Sequence, residues 1–181
     1  MNKIFVILTV LIFPFTVYAQ QSDSARMASE IKKIMQLRGN WVGDVEMKWM
    51  GKTDNFKVYQ KNESVAANSG LLVNEHANSN LFGKYASASL VAFNSQTEMV
   101  HWFIISNAGE AGETTGNWKD NKLELKEDVL SGEEVEVFST TTITFVNSNE
   151  YIYEYAMNSG GEITMHIKGT FRRGGAAPPG E

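Results

Sequence analysis

The stretch Leu37-Arg38-Gly39-Asn40-Trp41-Val42-Gly43-Asp44-Val45-Glu46-Met47-Lys48-Trp49 decides how this chain is read. Trp41, Gly43, Val45, Met47 and Trp49 alternate with Asp44, Glu46 and Lys48, so one set of side chains meets a core and the other meets water. A two-residue period of this kind is a β-strand with one face covered. Upstream the period changes. Met27, Ile31, Ile34, Met35 and Leu37 recur every three or four residues, which predicts one amphipathic α-helix within residues 20–38, capped by Ser22 or Ser24 and stopped at Arg38-Gly39. Lys32, Lys33 and Arg38 then lie near the negative end of its dipole.

Downstream of Trp49 the two-residue period persists to the end of the fold. Gly51-Lys52-Thr53-Asp54-Asn55 reads as a turn, and Phe56 and Val58 open a strand running to about Ala66. Further strands are expected over 71–77, 83–93, 98–106, 113–118, 123–129, 134–146, 151–157 and 163–171, nearly all joined by short polar turns such as Asn94-Ser95-Gln96 and Lys119-Asp120-Asn121. Nine or ten strands linked this way make an antiparallel meander, and closing it into an up-and-down β-barrel over residues 39–173 removes both exposed edges. A two-sheet sandwich is the competing arrangement, but the turns carry little sign of Greek-key crossovers. Residues 174–181, Gly-Gly-Ala-Ala-Pro-Pro-Gly-Glu, have no side chains to bury and are expected to form a disordered tail.

Composition narrows the function classes. The 181 residues are 43% hydrophobic, which suits one all-β domain with a core. No cysteine is present, which excludes thiolate metal sites and cysteine nucleophiles. Lys and Arg number 16 against 21 Asp and Glu, a net charge of −5 that disfavours a nucleic-acid partner. Residues 1–19 combine Lys3, the apolar run Ile4–Phe13 and the ending Val17-Tyr18-Ala19, the pattern of a secretory signal peptide cut before Gln20. The apolar run is too short to span a membrane, and nothing after it resembles a transmembrane helix, so the mature protein is expected in the periplasm or secreted.

Continuing the Trp41 phase around the barrel selects an interior. Met47, Trp49, Phe56, Val58, Tyr151, Tyr153, Tyr155, Met157 and Met165 are expected to face in. His101 shares a phase with Met99, Phe103 and Ile105, and is placed with them as an inward group. Aromatic and Met side chains mixed with hydroxyls suit a small apolar or amphipathic molecule, so Met47, Trp49, Phe56, Val58, His101, Tyr153, Tyr155 and Met165 are the candidate ligand-binding residues. The alternative is that these groups simply fill a packed core. His76, His101 and His166 all lie in strands, without the His-x-His spacing of a metal site, and no metal or cofactor is expected. Nucleophile elbows, phosphate loops and dinucleotide turns are absent, so no catalytic residue is assigned. The carboxylates of Glu110-Ala111-Gly112-Glu113 and of Glu133, Glu134 and Glu136 read as a solvated loop and an outer strand face.

The pattern Leu37-x-Gly39-x-Trp41-x-Gly43 resembles the opening of lipocalin-like (calycin) barrels. The mid-chain Gly116-x-Trp118-x-x-x-x-Leu123-x-Leu125 and the run Thr141-Thr142-Ile143-Thr144 are similar to an exported bacterial branch of them. The resemblance covers about Leu37–Arg173. It implies a structural motif in which Trp41, entered through Gly39, sits at the barrel floor under an arginine of the last strand, Arg172 or Arg173. It also implies small-molecule binding, although the transport lipocalins' full motif set and disulfide pattern are incomplete here. Some related barrels of the nitrobindin type hold haem through a late-strand histidine. Met165-His166-Ile167 occupies the comparable region, with His166 in an outward phase. The functional expectation is a non-enzymatic binding barrel. An envelope protein–protein interaction module is the alternative, and an enzyme with His101 as acid–base group follows behind. Oligomeric state is left open.

Overall fold

Ten strands follow a short helix in the computed structural model of the protein, in which residues 24–129 and 137–174 are described. The expected signal peptide, Ser22, the carboxylates Glu133, Glu134 and Glu136, and the tail beyond Gly174 lie outside the described residues. Helix α1 (residues 24–34) passes into a 3-10 turn at Met35–Leu37. The strands are β1 (Gly39–Trp49), β2 (Lys52–Val65), β3 (Gly70–Ser79), β4 (Gly83–Asn94), β5 (Met99–Ser106), β6 (Ala111–Lys119), β7 (Lys122–Val129), β8 (Val137–Asn147), β9 (Glu150–Ser159) and β10 (Glu162–Arg173). Each strand pairs antiparallel with the next, and β1 also pairs with β10, so the sheet closes on itself as an up-and-down barrel. No described helix is long and apolar enough to cross a membrane.

One expected turn is shorter than its composition suggested. Lys52, Thr53 and Asp54 pair with Trp49, Lys48 and Met47, so β2 begins before Phe56. Met50 and Gly51 alone turn the chain, both with positive φ (49° and 74°), which is the backbone that a right-twisted two-residue hairpin requires. Asp54 therefore belongs to the strand and faces in, 5% exposed. Its carboxylate ties the β3–β4 turn: it accepts from Ser79 Oγ at 2.5 Å, from the Asn80 amide at 2.7 Å and from the Leu81 amide at 3.3 Å. The Ser79 bond above all, with help from the Asn80 and Leu81 donors, holds the Asp54 carboxyl below its ordinary range. A carboxylate lowered on folding stabilises fully above its unfolded pKa, about 3.9, and the stabilisation is lost as pH falls through the lower folded value. Asp54→Asn is thus expected to flatten the acid limb of thermal midpoint against pH; an unchanged limb would show that this carboxylate contributes nothing there.

The helix end of the barrel is sealed by apolar packing. Ile34 and Leu37 from the helix segment meet Trp41, Leu71, Val91, Val100, Leu123, Phe145, Tyr151 and Phe171 in one buried cluster. Tyr151 stands edge-on to Trp41 at 4.8 Å and stacks on Phe171 at 4.8 Å. Gly43 gives the Phe171 ring its place, since a Cβ there would lie 2.6 Å from ring atoms. Two polar ends of this floor share one acceptor, while Asn62 Oδ1 is buried without a partner among the described residues. Trp41 Nε1 and Asn62 Nδ2 both donate to the Leu37 carbonyl, at 2.7 and 2.8 Å, which pairs a carbonyl that the end of a helix leaves without an intrahelical partner.

Candidate functional site

Two arginines stand next to each other at the end of β10, and strand alternation sends them to different tasks. Trp41 is opposite Arg173 in the β1–β10 register, and the Arg173 guanidinium lies over the indole at 4.3 Å. The same guanidinium donates to the carbonyls of Gln36, Arg38 and Ser148 at 2.6–2.8 Å. Gly39, at φ 115°, lets the chain pass beneath it, because a Cβ there would meet Arg173 Nη1 at 2.7 Å. Arg172 turns outward and pairs with Glu150 at 2.7 Å and Asp44 at 3.7 Å.

Exposure of the inward side chains changes along the barrel axis. Near the floor, Trp41, Leu71, Val91 and Val100 are 0% exposed and Val73 is 2% exposed, so the closed wall itself admits almost no solvent. Toward the opposite rim, residues in the same inward phase are only half-buried: Trp49, Phe56, Glu75, Ala77, Tyr85, Ile104, Glu127, Tyr153, Tyr155, Met157, Met165 and Ile167. Met47, Asp54, Ser79 and Ser139 in the same upper half are nevertheless buried, and Phe93, Trp102 and Trp118 toward the floor are half-buried.

Of the eight candidate ligand-binding residues, Trp49, Phe56, Tyr153, Tyr155 and Met165 line that half. Met47 (0% exposed) and Val58 (5%) also point inward but are packed into the wall rather than bordering open space. His101 is a correction. It alternates with the buried Val100 and stands on the outer wall beside Phe103 and Ile105, which are 47% and 63% exposed. There its ring pairs with Thr97 Oγ1 at 2.8 Å and with Glu113. The acid–base role expected of it inside the barrel falls away. His76 is exposed on the outer phase of β3. His166 lies between Lys48 and Ala156 on the outer phase, so its ring does not fit an axial ligand to a haem in the lumen.

The lumen holds groups that the sequence reading did not select. Glu75 follows Leu71 and Val73 in the inward phase of β3, with Gln60 and Ser87 beside it in register. Gln60 Nε2 donates to Glu75 at 2.7 Å, and the Tyr151 hydroxyl donates to Gln60 Oε1 at 2.6 Å from across the barrel. Tyr85 donates to Glu110 at 3.0 Å, and Ser139 Oγ to Glu127 at 3.3 Å. Gly112 leaves room for Glu127, whose Oε1 would lie 2.6 Å from a Cβ there. Burial is the main reason that the Glu75 carboxyl and the phenols of Tyr85, Tyr151, Tyr153 and Tyr155 are all pushed above their ordinary values. At neutral pH the tyrosines are therefore neutral donors and acceptors. The available signal was a carboxylate in phase with Leu71, Val73 and Ala77.

The outer wall divides into two characters. Over β1, β2 and β10 a groove of about 560 Å³ is lined by Asp44, Glu46, Lys57 and Lys168 among others, with Asp44–Lys57 and Lys168–Glu154 already paired. Across β3, β4 and β5, Leu72, Leu90 and Phe103 form one cross-strand row, an apolar face.

No family model matches the chain. No curated protein matches it in sequence. Solved structures do match in fold. The crystal structure of Rv2717c from M. tuberculosis aligns with TM-score 0.56 and 14% identity, over 81% of this chain and 98% of that one. The S-type phycobiliprotein lyase CPES from Guillardia theta aligns with TM-score 0.57 and 10% identity, over 86% of this chain and 98% of that one. With ten antiparallel strands closed in sequence order, the chain has the barrel fold that its resemblance to lipocalin-like (calycin) barrels implied.

Proposed function

We propose that the protein is an exported, non-enzymatic barrel that binds one small apolar or amphipathic molecule in the upper half of its lumen. The half-buried aromatic and methionine side chains in the inward phase of the upper barrel, Trp49, Phe56, Tyr153, Tyr155, Met157 and Met165, carry this reading. Trp49, Phe56, Met157, Met165 and Ile167 offer apolar and polarisable area, while the hydroxyls of Tyr153 and Tyr155 fix orientation. The support for export is the basic start, apolar run and small-residue ending of residues 1–19, the pattern of a secretory signal peptide.

The test is uptake of the neutral dye N-phenyl-1-naphthylamine by the purified protein. Saturable binding near one dye per chain is expected, with a blue-shifted emission. Ala77→Phe, which adds a ring at a half-buried inward position, is expected to weaken uptake by about fivefold with the strand signal in circular dichroism unchanged. Absence of saturable uptake, or no response to Ala77→Phe, overturns the reading. Gel filtration and circular dichroism separate a lost site from a lost fold.

A further inference from the structure

Glu75 is a carboxylate inside the barrel, and among the described residues no cation faces it. Its flanking inward neighbours in the sheet are Gln60 on β2 and Ser87 on β4. The titratable groups acting on it are the neutral phenols of Tyr85, Tyr151 and Tyr153, together with Glu110, a like charge. Among the described strand residues, only Lys52 and Arg173 of the basic side chains occupy inward positions. Arg173 is engaged over Trp41 at the floor. Lys52 is exposed at the rim, eight residues along β2 from Gln60, roughly 26 Å at strand rise. The remaining strand cations point outward, where many are paired, as in Lys57–Asp44, Lys122–Glu124 and Lys168–Glu154.

A half-buried carboxylate gives up part of its hydration, and among the described residues a single amide N–H, from Gln60, donates to it. Among the described residues no donor reaches the other carboxylate oxygen, which lies among phenols whose oxygens can accept. That is the complement of a primary ammonium group, which has three donors and no acceptor. The apolar residues nearer the rim, Trp49, Met157, Met165 and Ile167, complete a site with a deep polar end and an apolar approach.

We propose that the lumen selects an amphipathic amine, with Glu75 as counter-ion to the ammonium group, Tyr85 and Tyr153 accepting its remaining N–H bonds, and the apolar tail lying toward the rim. The proposal rests on the lumen-binding reading and adds the sign of the ligand's charge to it.

Calorimetric titration at pH 7 with decylamine, decanol and decanoate, all below their micelle concentrations, tests it. Decylamine is expected to bind about tenfold more tightly than decanol, and decanoate more weakly than either. Glu75→Gln is expected to abolish the preference for decylamine while leaving decanol affinity within about twofold. Glu46→Gln, which removes the same charge from the outer wall, is expected to change nothing. Tyr153→Phe is expected to weaken decylamine about threefold and serves as a second variant should Glu75→Gln fold poorly. Equal affinity for decylamine and decanol, or a preference that survives Glu75→Gln, overturns the amine assignment and leaves lumen binding standing. Failure of all three probes to bind overturns both.

Discussion

Trp41→Ala is expected to remove about 4 kcal/mol of stability, read as a fall in the urea midpoint at unchanged slope. The indole is fully buried, packs edge-on against Tyr151 and gives Arg173 the ring on which it lies. Truncation leaves a cavity the size of a bicyclic ring at a place that cannot collapse, because the helix segment is fixed by Arg173 to the carbonyls of Gln36 and Arg38. It also strips one donor from the Leu37 carbonyl. A domain of this kind has only about 5–15 kcal/mol in total, so this one change removes a large share of it. A loss below about 1.5 kcal/mol would mean that the floor is not where the barrel is held together.

The second large effect is expected from Gly116→Ala, a change of one methyl group. A Cβ at residue 116 would lie 1.7 Å from the carbonyl oxygen of Glu124 and 2.9 Å from Cα of Leu125. Both are backbone atoms of β7, so no rotamer change gives relief, and β6 must move away from its neighbour. Gly116 pairs with Leu125 near the middle of that ladder, and separating the strands there breaks hydrogen bonds on both sides. The cost is expected at the upper end of overpacking, about 3 kcal/mol, with loss of soluble protein on expression. Gly51→Ala is the contrasting variant. No atom lies within 4 Å of a Cβ there, and its cost is confined to positive φ, about 1 kcal/mol. Equal stability for Gly116→Ala and wild type would contradict the close approach of β6 to β7.

Much of the fold was legible because a covered strand writes its period into the chain. Gly39 to Trp49 names both its strand and its inward face, since Asp44, Glu46 and Lys48 are unambiguous markers of water. β5 lacks such markers. Met99, His101, Phe103 and Ile105 alternate with Val100, Trp102 and Ile104, so both faces are apolar and the period cannot say which is inside. The register settles it: Trp102 lies opposite the buried Val91 and Phe103 opposite the exposed Leu90. His101 was misplaced for that reason alone. Glu75 was missed for the opposite reason. A carboxylate is ordinarily taken as a sign of the wet face, and only its agreement in phase with Leu71 and Val73 places it inside. The choice between Arg172 and Arg173 needed the count of residues across the β1–β10 ladder, which no single strand contains.

The latch over Trp41 joins residues 135 to 137 positions apart, so nearly the entire polypeptide must be in hand before it can engage. Contacts of such long sequence separation form late and make folding slow. A ribosome still short of residue 173 holds a ribbon whose first strand lacks its second neighbour, and the ring stays open for as long as synthesis continues. Whatever meets the chain before residue 173 is made therefore meets an open ribbon, not a closed cylinder.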